Sequence, residues 1–126
     1  MRPRSLAEVA MRTADGDSFD RCLANFLDDF YASPRSQSLE DEPPLLAGKG
    51  SPLGPVEDAY LAATAEELAR QYDFPAPRWA AGETRHLHRP WFAVPLAAVR
   101  AVLLLESPPA FRCRNLFVSE NALSRA

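Results

Sequence analysis

The stretch Ser18-Phe19-Asp20-Arg21-Cys22-Leu23-Ala24-Asn25-Phe26-Leu27-Asp28-Asp29-Phe30-Tyr31 decides the fold of this chain. Its apolar side chains recur at offsets of three and four residues, a spacing that predicts a helix with one apolar face. Asp17 or Ser18 is suited to cap the start of this helix, and Pro34 predicts that it ends near Ser33. The apolar face consists of Phe19, Cys22, Leu23, Phe26, Leu27, Phe30 and Tyr31.

Further helices are predicted on both sides of this aromatic helix. Ser5 and Glu8 form a capping-box signature, and Pro55 is well placed at the first position of a long helix. The run 96–106 fits either a helix or a buried strand by periodicity, and its alanines and leucines favour the helix. The predicted helices cover residues 5–13, 17–33, 55–72, 96–106 and 110–114, with single turns at 38–42 and around Leu123.

These segments predict an all-α protein, a single compact domain of five or six short helices with Pro-rich connections. Its 126 residues, 47% of them hydrophobic and 25% charged, are enough for one core but not for two. We expect that core to be built from the aromatic helix together with the third and fourth helices. Residues 34–54 are predicted to be a loose connection that packs on the core, because Leu45 and Leu46 favour burial.

The cellular location is predicted from what the chain does not contain. Glu8 interrupts any apolar signal segment near the N-terminus, and 101–105 is far shorter than the roughly 20 residues of a membrane span. Two cysteines do not make a disulfide framework. The sequence therefore predicts a cytoplasmic protein that does not bind membranes, with Cys22 in the core and Cys113 without a chemical role.

Charge is divided unevenly along the chain. Residues 1–73 carry seven bases and fourteen acids, whereas residues 74–126 carry seven bases and three acids. Opposite ends of this kind favour self-association or the binding of a charged partner, unless both are simply solvated. Nucleic-acid binding through the basic half is thus an alternative function. A helix-turn-helix role for the first two helices is disfavoured, because Asp20, Asp28 and Asp29 would face the phosphates.

The basic half also contains the residues that best suit chemistry or binding. Arg85, Arg89, Arg112 and Arg114 are suited to clamp an anion, or else to pair with Glu106 or a helix C-terminus. His86 and His88 can share a metal ion on an extended segment, which makes a small metal enzyme a second alternative. No nucleophile elbow, phosphate loop or paired-cysteine site accompanies them. We therefore predict no catalytic residue and no cofactor.

Several blocks of the sequence together resemble a known group of small bacterial proteins. They are Ser18-Phe19-Asp20, Leu23, Asn25-Phe26-Leu27-Asp28, Phe30-Tyr31, the runs 42–46, 60–66 and 90–92, and the segment 106–118 apart from Cys113, where a third arginine is expected. The group resembles the accessory or antitoxin-like partners that are encoded beside nucleotidyltransferase-type toxins. The resemblance implies a neutralising or accessory role in a two-gene module, and it carries over no catalytic residues.

The sequence therefore predicts a non-enzymatic binding protein that docks on a protein partner. Arginine and tryptophan are the residues that most often anchor interfaces. The predicted partner-binding residues form an exposed basic and aromatic surface: Arg85, Arg89, Trp91, Phe92, Arg112, Arg114 and Asn115.

Overall fold

Helices account for most of the fold. The computed structural model describes residues 2–94 and 97–125, and the side chains of these residues other than Ala97 and Ala98. In chain order the α-helices are α1 (Leu6–Ala14), α2 (Phe19–Ala32), α3 (Gln37–Glu40), α4 (Gly54–Gln71), α5 (Ala97–Glu106) and α6 (Pro109–Arg112). Two 3₁₀ turns (Arg78–Ala81 and Glu83–Arg85) follow α4, and the two short strands are β1 (Trp91–Phe92) and β2 (Leu116–Phe117). The all-α prediction is confirmed.

The first two helices begin as the sequence predicts. The Ser5 hydroxyl accepts the Glu8 N–H (3.1 Å), and the Glu8 carboxylate accepts the N–H of Arg4 (3.0 Å). The Ser18 hydroxyl accepts the Arg21 N–H at the start of α2 (3.3 Å). These side chains satisfy amide groups that the first turn of a helix leaves without partners.

The aromatic helix α2 packs alongside α4. Phe19 meets Tyr60 edge to face with ring centroids 6.0 Å apart, and Phe30 meets Tyr72 in the same way at 5.2 Å. Because both contacts advance along the two helices in the same direction, α2 and α4 run parallel. Buried residues of α1, α2 and α4 form one hydrophobic cluster with Leu39, Leu46, Phe111, Leu116, Val118 and Leu123.

The prediction that α5 is a main part of the core needs correction. The helical assignment of α5 is confirmed, while its predicted first residue, Leu96, lies outside the described residues. Between residues 99 and 106, however, only Leu103 is buried. The segment 110–123 takes the place in the core that we expected α5 to fill, because it supplies Phe111, Leu116 and Val118.

The connection 34–54 lies on the core, as predicted. Leu46 is buried, and its N–H donates to the Asp58 carboxylate (2.6 Å), which also accepts the Ala47 N–H (3.0 Å). Leu45 remains exposed, contrary to expectation. The connection approaches α4 so closely that a Cβ atom at Gly54 would lie 2.5 Å from the Leu46 carbonyl oxygen.

A short parallel pairing completes the fold. Trp91 lies opposite Leu116 and Phe92 opposite Phe117, and the two phenylalanine rings stack at 5.0 Å. No sequence pattern predicts this pairing, because each strand has only two residues. This pairing joins two segments of the basic half of the chain, residues 91–92 and 116–117.

Candidate functional site

Two of the seven predicted partner-binding residues are not on the surface. The side chains of Arg85 and Arg114 are 0% and 2% exposed. The prediction of one exposed surface that includes both is therefore wrong. Each arginine instead joins separate parts of the fold.

Arg85 links the second 3₁₀ turn to α4 and to the connection 34–54. Its guanidinium donates to the carbonyl oxygens of Pro43 (2.5 Å) and Asp58 (3.4 Å) and lies 3.8 Å from the Asp58 carboxylate. It also lies 3.5 Å from the Glu42 carboxylate and 4.9 Å from the centre of the Trp79 ring. A buried charge needs such partners, because transfer from water into the interior is otherwise very costly.

Arg114 has the same kind of environment beside Glu66, about two turns further along α4 than Asp58. It donates to the carbonyl oxygens of Ala110 and Ala80, both at 2.7 Å, and to the carboxylate of Glu66 (2.7 Å). The sequence predicts pairing with a helix C-terminus as an alternative role for these arginines. Glu106, the acid then named as a partner, instead accepts the N–H of Glu120 (3.4 Å).

The other five predicted residues lie at or near the surface. Arg89 and Arg112 are exposed, and Trp91, Phe92 and Asn115 are half-buried. The strand pairing joins two of them, since the Trp91 N–H donates to the Asn115 carbonyl oxygen (2.8 Å). The Asn115 side-chain amide in turn donates to the Leu87 carbonyl oxygen (2.7 Å). Asn115 holds this position with a left-handed backbone (φ 63°), which asparagine tolerates better than most residues.

The two histidines line a cleft of about 650 Å³ beside the start of α4. The His86 Nδ1 lies 2.9 Å from the Gly82 carbonyl oxygen, which accepts only, so Nδ1 carries the proton in this contact. Across residues 2–94 and 97–125, no three His, Cys, Asp or Glu side chains are placed to hold a metal ion. The His86 contact spans the second 3₁₀ turn, Glu83–Arg85.

The two cysteines and Ser107 pack or form hydrogen bonds within the fold. Cys22 is buried on α2, and burial is the main reason that the pKa of its thiol is raised. Cys113 is exposed, with its Sγ 3.4 Å from the Ala110 carbonyl oxygen. The buried Ser107 hydroxyl donates to the Leu103 carbonyl oxygen (2.6 Å) and accepts the Val118 N–H (2.8 Å), which fixes the end of α5 against β2.

One feature that sequence reasoning missed is the outer face of α5. Val102, Leu104 and Leu105 are 51%, 45% and 83% exposed, whereas Leu103 between them is 3% exposed. We call the exposed residues Ala101, Val102, Leu104 and Leu105 the α5 face. The signal was present in the sequence as three consecutive leucines without a polar face, which an ordinary surface helix would carry.

A second missed feature is a cleft of about 510 Å³ between α2, α4 and β1. Trp91, which was predicted to bind a partner, lines it together with Phe19, Tyr60 and the carboxyl group of Glu57. These residues come from three distant parts of the sequence. No local sequence motif predicts the cleft.

Comparison of the chain with protein families, curated proteins and solved structures found no match. Within the described part of the chain, no helix is both long and apolar enough to cross a membrane.

Proposed function

We propose that this protein is a non-enzymatic binding protein that docks on a protein partner through the α5 face. The observation that carries the proposal is the exposure of Leu105, of which 83% is open to solvent, beside Val102 and Leu104. Contiguous apolar surface of this kind is costly to leave in water and is typical of interaction sites.

The arrangement of side chains around α5 supports docking as a helix. Successive residues of a helix are rotated by about 100°, so residues 101, 102, 104 and 105 are neighbours on one side. Leu103 projects to the opposite side, where it is buried. Arg100 and Glu106 border the α5 face on its two edges, which gives a polar rim around an apolar centre.

A partner that fits this face has an apolar groove. Helix-in-groove recognition uses apolar side chains at spacings of three and four residues as anchors, as Ala101, Leu104 and Leu105 are spaced here. The Arg100 guanidinium already lies 5.0 Å from the centre of the Phe92 ring, so one border of the face is fixed before binding. Such preorganisation lowers the entropic cost of association.

We propose further that the partner is the toxin-like member of a two-gene bacterial module. The support is the sequence resemblance to antitoxin-like proteins that are encoded beside nucleotidyltransferase-type toxins. Under this proposal the protein acts in the cytoplasm and neutralises its partner by covering a surface of it, without chemistry of its own.

The nucleic-acid alternative is weakened by the positions of the arginines. Arg85 and Arg114 are buried and paired with carboxylates, so they are withdrawn from any surface that meets phosphates. Binding through phosphate contacts scales with the number of accessible basic residues.

Co-purification with the product of the adjacent gene tests the proposal. We expect Leu105→Glu to weaken the complex at least tenfold, because it places a charge at the centre of the apolar contact. Met11→Glu is the matched control: Met11 is an exposed apolar residue on α1, and its replacement is expected to leave binding unchanged.

Two results would contradict the proposal. One is a wild-type protein that does not bind the adjacent gene product in direct titration. The other is equal binding by Leu105→Glu and Met11→Glu. Light scattering of the free protein separates a third arrangement: a wild-type dimer that Leu105→Glu converts to a monomer, without binding to the gene product, assigns the α5 face to self-association and overturns the toxin-partner role.

A further inference from the structure

The cleft between α2, α4 and β1 combines an aromatic lining with carboxyl groups. Its aromatic residues are Phe19 on α2, Tyr60 on α4 and Trp91 on β1. Leu23, Leu27, Leu53 and Val56 supply further apolar surface. Its volume of about 510 Å³ lies within the range of sites for small molecules, about 300–1,000 Å³.

Glu57 places an unsatisfied acceptor in this lining. Its Oε1 is buried and has no hydrogen-bond partner among residues 2–94 and 97–125. Burial raises the pKa of the Glu57 carboxyl group, and the nearby carboxylates of Asp58 and Asp20 raise it further. The environment therefore disfavours the charge of Glu57 as long as no cation offsets it.

The other charged residues of the lining do not offset the Glu57 carboxyl group. Asp20 adds a second carboxylate on α2. Arg125 is the basic residue of the lining, and its guanidinium is held by the Asp28 carboxylate in a two-fold contact of 2.8 and 3.2 Å. The pair Arg125–Asp28 is neutral as a unit, so Arg125 does not offset the carboxyl groups of Glu57 and Asp20.

We propose that this cleft binds a small organic cation with an apolar body, of the primary alkylammonium class. The ammonium group pairs with the Glu57 carboxyl group and is attracted by Asp20. The alkyl chain lies on Phe19, Tyr60 and Trp91, whose rings also attract a cation placed over their faces. This site is separate from the α5 face and does not depend on the function proposed for it.

Titration with n-hexylammonium tests the site directly, with hexanol and hexanoate as neutral and anionic probes of the same length. The chain has two tryptophans, whose indole N–H resonances are observable by NMR. We expect hexylammonium to shift the Trp91 resonance saturably and to bind at least tenfold more tightly than hexanol. Trp79 is the internal control, because its indole donates to the Leu39 carbonyl oxygen outside the cleft (3.0 Å).

Charge-removing variants identify the groups that recognise the cation. Glu57→Gln is expected to weaken hexylammonium binding about tenfold and to change hexanol binding less than twofold. Asp20→Asn, on the exposed side of the cleft, is expected to weaken hexylammonium binding about threefold, and it tests the site independently of the fold around Glu57. Glu40→Gln is the matched control, because Glu40 is exposed at the end of α3 and does not line the cleft.

The inference is overturned if hexylammonium leaves the Trp91 resonance unmoved. It is equally overturned if hexanol or hexanoate binds as tightly as hexylammonium, or if Glu57→Gln and Asp20→Asn both bind the cation as the wild type does.

Discussion

At the scale of single residues, the two buried arginines are the most unusual choice in this chain. Arg85 satisfies the carbonyl oxygen of Pro43 in the connection 34–54, Arg114 satisfies that of Ala80 in the first 3₁₀ turn, and each also meets a carboxylate. Apolar residues of similar size would leave those carbonyls without donors. The arginines are therefore best understood as connectors of irregular segments that have few hydrogen bonds of their own.

Replacing Arg85 by methionine tests this structural role. Arg85→Met keeps the size of the side chain but leaves the Pro43 carbonyl oxygen and part of the Asp58 carboxylate unpaired in the interior. We expect the free energy of unfolding to fall by about 3 kcal/mol, as is typical when one partner of a buried charged pair is removed. Urea denaturation measures this difference. Arg89→Met, at an exposed neighbour, should change it by less than about 0.5 kcal/mol, and equal effects of the two substitutions would contradict the role.

Glu57 gives a second residue-scale prediction, in which a substitution stabilises the protein. Burial raises the pKa of Glu57 in the folded state, so the folded protein holds this proton more tightly than the unfolded chain does. The raised pKa therefore costs stability at pH values above it, and this cost is lost as the pH falls from the raised pKa to below the ordinary pKa of glutamate in the unfolded chain. Glu57→Gln should raise the melting temperature by about 2 °C at pH 7.

The pH dependence of that effect separates it from a general change in packing. The difference in melting temperature between Glu57→Gln and the wild type should shrink as the pH is lowered to about 3, where glutamate is largely protonated in both states. A lower melting temperature of the variant at pH 7 would show instead that Glu57 stabilises the fold in its ionised form.

At the scale of elements, α4 and α5 depart from the simple picture of a helix with one apolar face. α4 is buried on nearly all sides, and its many alanines allow the connection 34–54, the 3₁₀ turns and α6 to approach it. α5 differs from α4, because some of its apolar residues face the core and others face solvent. Periodicity predicts that such segments are helices but does not say how much of each is covered.

The close approach of the connection to α4 predicts a steric effect at Gly54. In Gly54→Ala the new Cβ atom would lie 2.5 Å from the Leu46 carbonyl oxygen and 2.9 Å from the Ala47 Cα, so the backbone must move. We expect a loss of about 2 kcal/mol in the free energy of unfolding, within the range of overpacked sites. Gly82→Ala is the matched control, since the nearest atom to its Cβ is 3.4 Å away. Thermal or urea unfolding of both variants checks the difference, and an unaffected Gly54→Ala would mean that the connection does not pack on α4 as described.

At the scale of the whole molecule, the uneven charge of the sequence is partly resolved inside the fold. The basic half supplies Arg85, Arg114 and Arg125, which pair with Asp58, Glu66 and Asp28 of the acidic half. From the sequence alone, the uneven charge is consistent with self-association, a charged partner or solvation of both ends. Part of it instead holds the two halves of the chain together, which a count of charges along the sequence does not reveal.

The sequence by itself determined the local structure of this protein. The spacing of Phe19, Phe26 and Phe30, the capping serines and the prolines fix where helices begin and end, because these effects act over a few residues. Only the tertiary structure decided which charged and apolar groups are covered. Three features depend on contacts between residues far apart in the chain: the burial of Arg85 and Arg114, the exposure of Leu105, and the placement of Glu57 and Trp91 in one cleft. A local sequence pattern does not specify such long-range contacts.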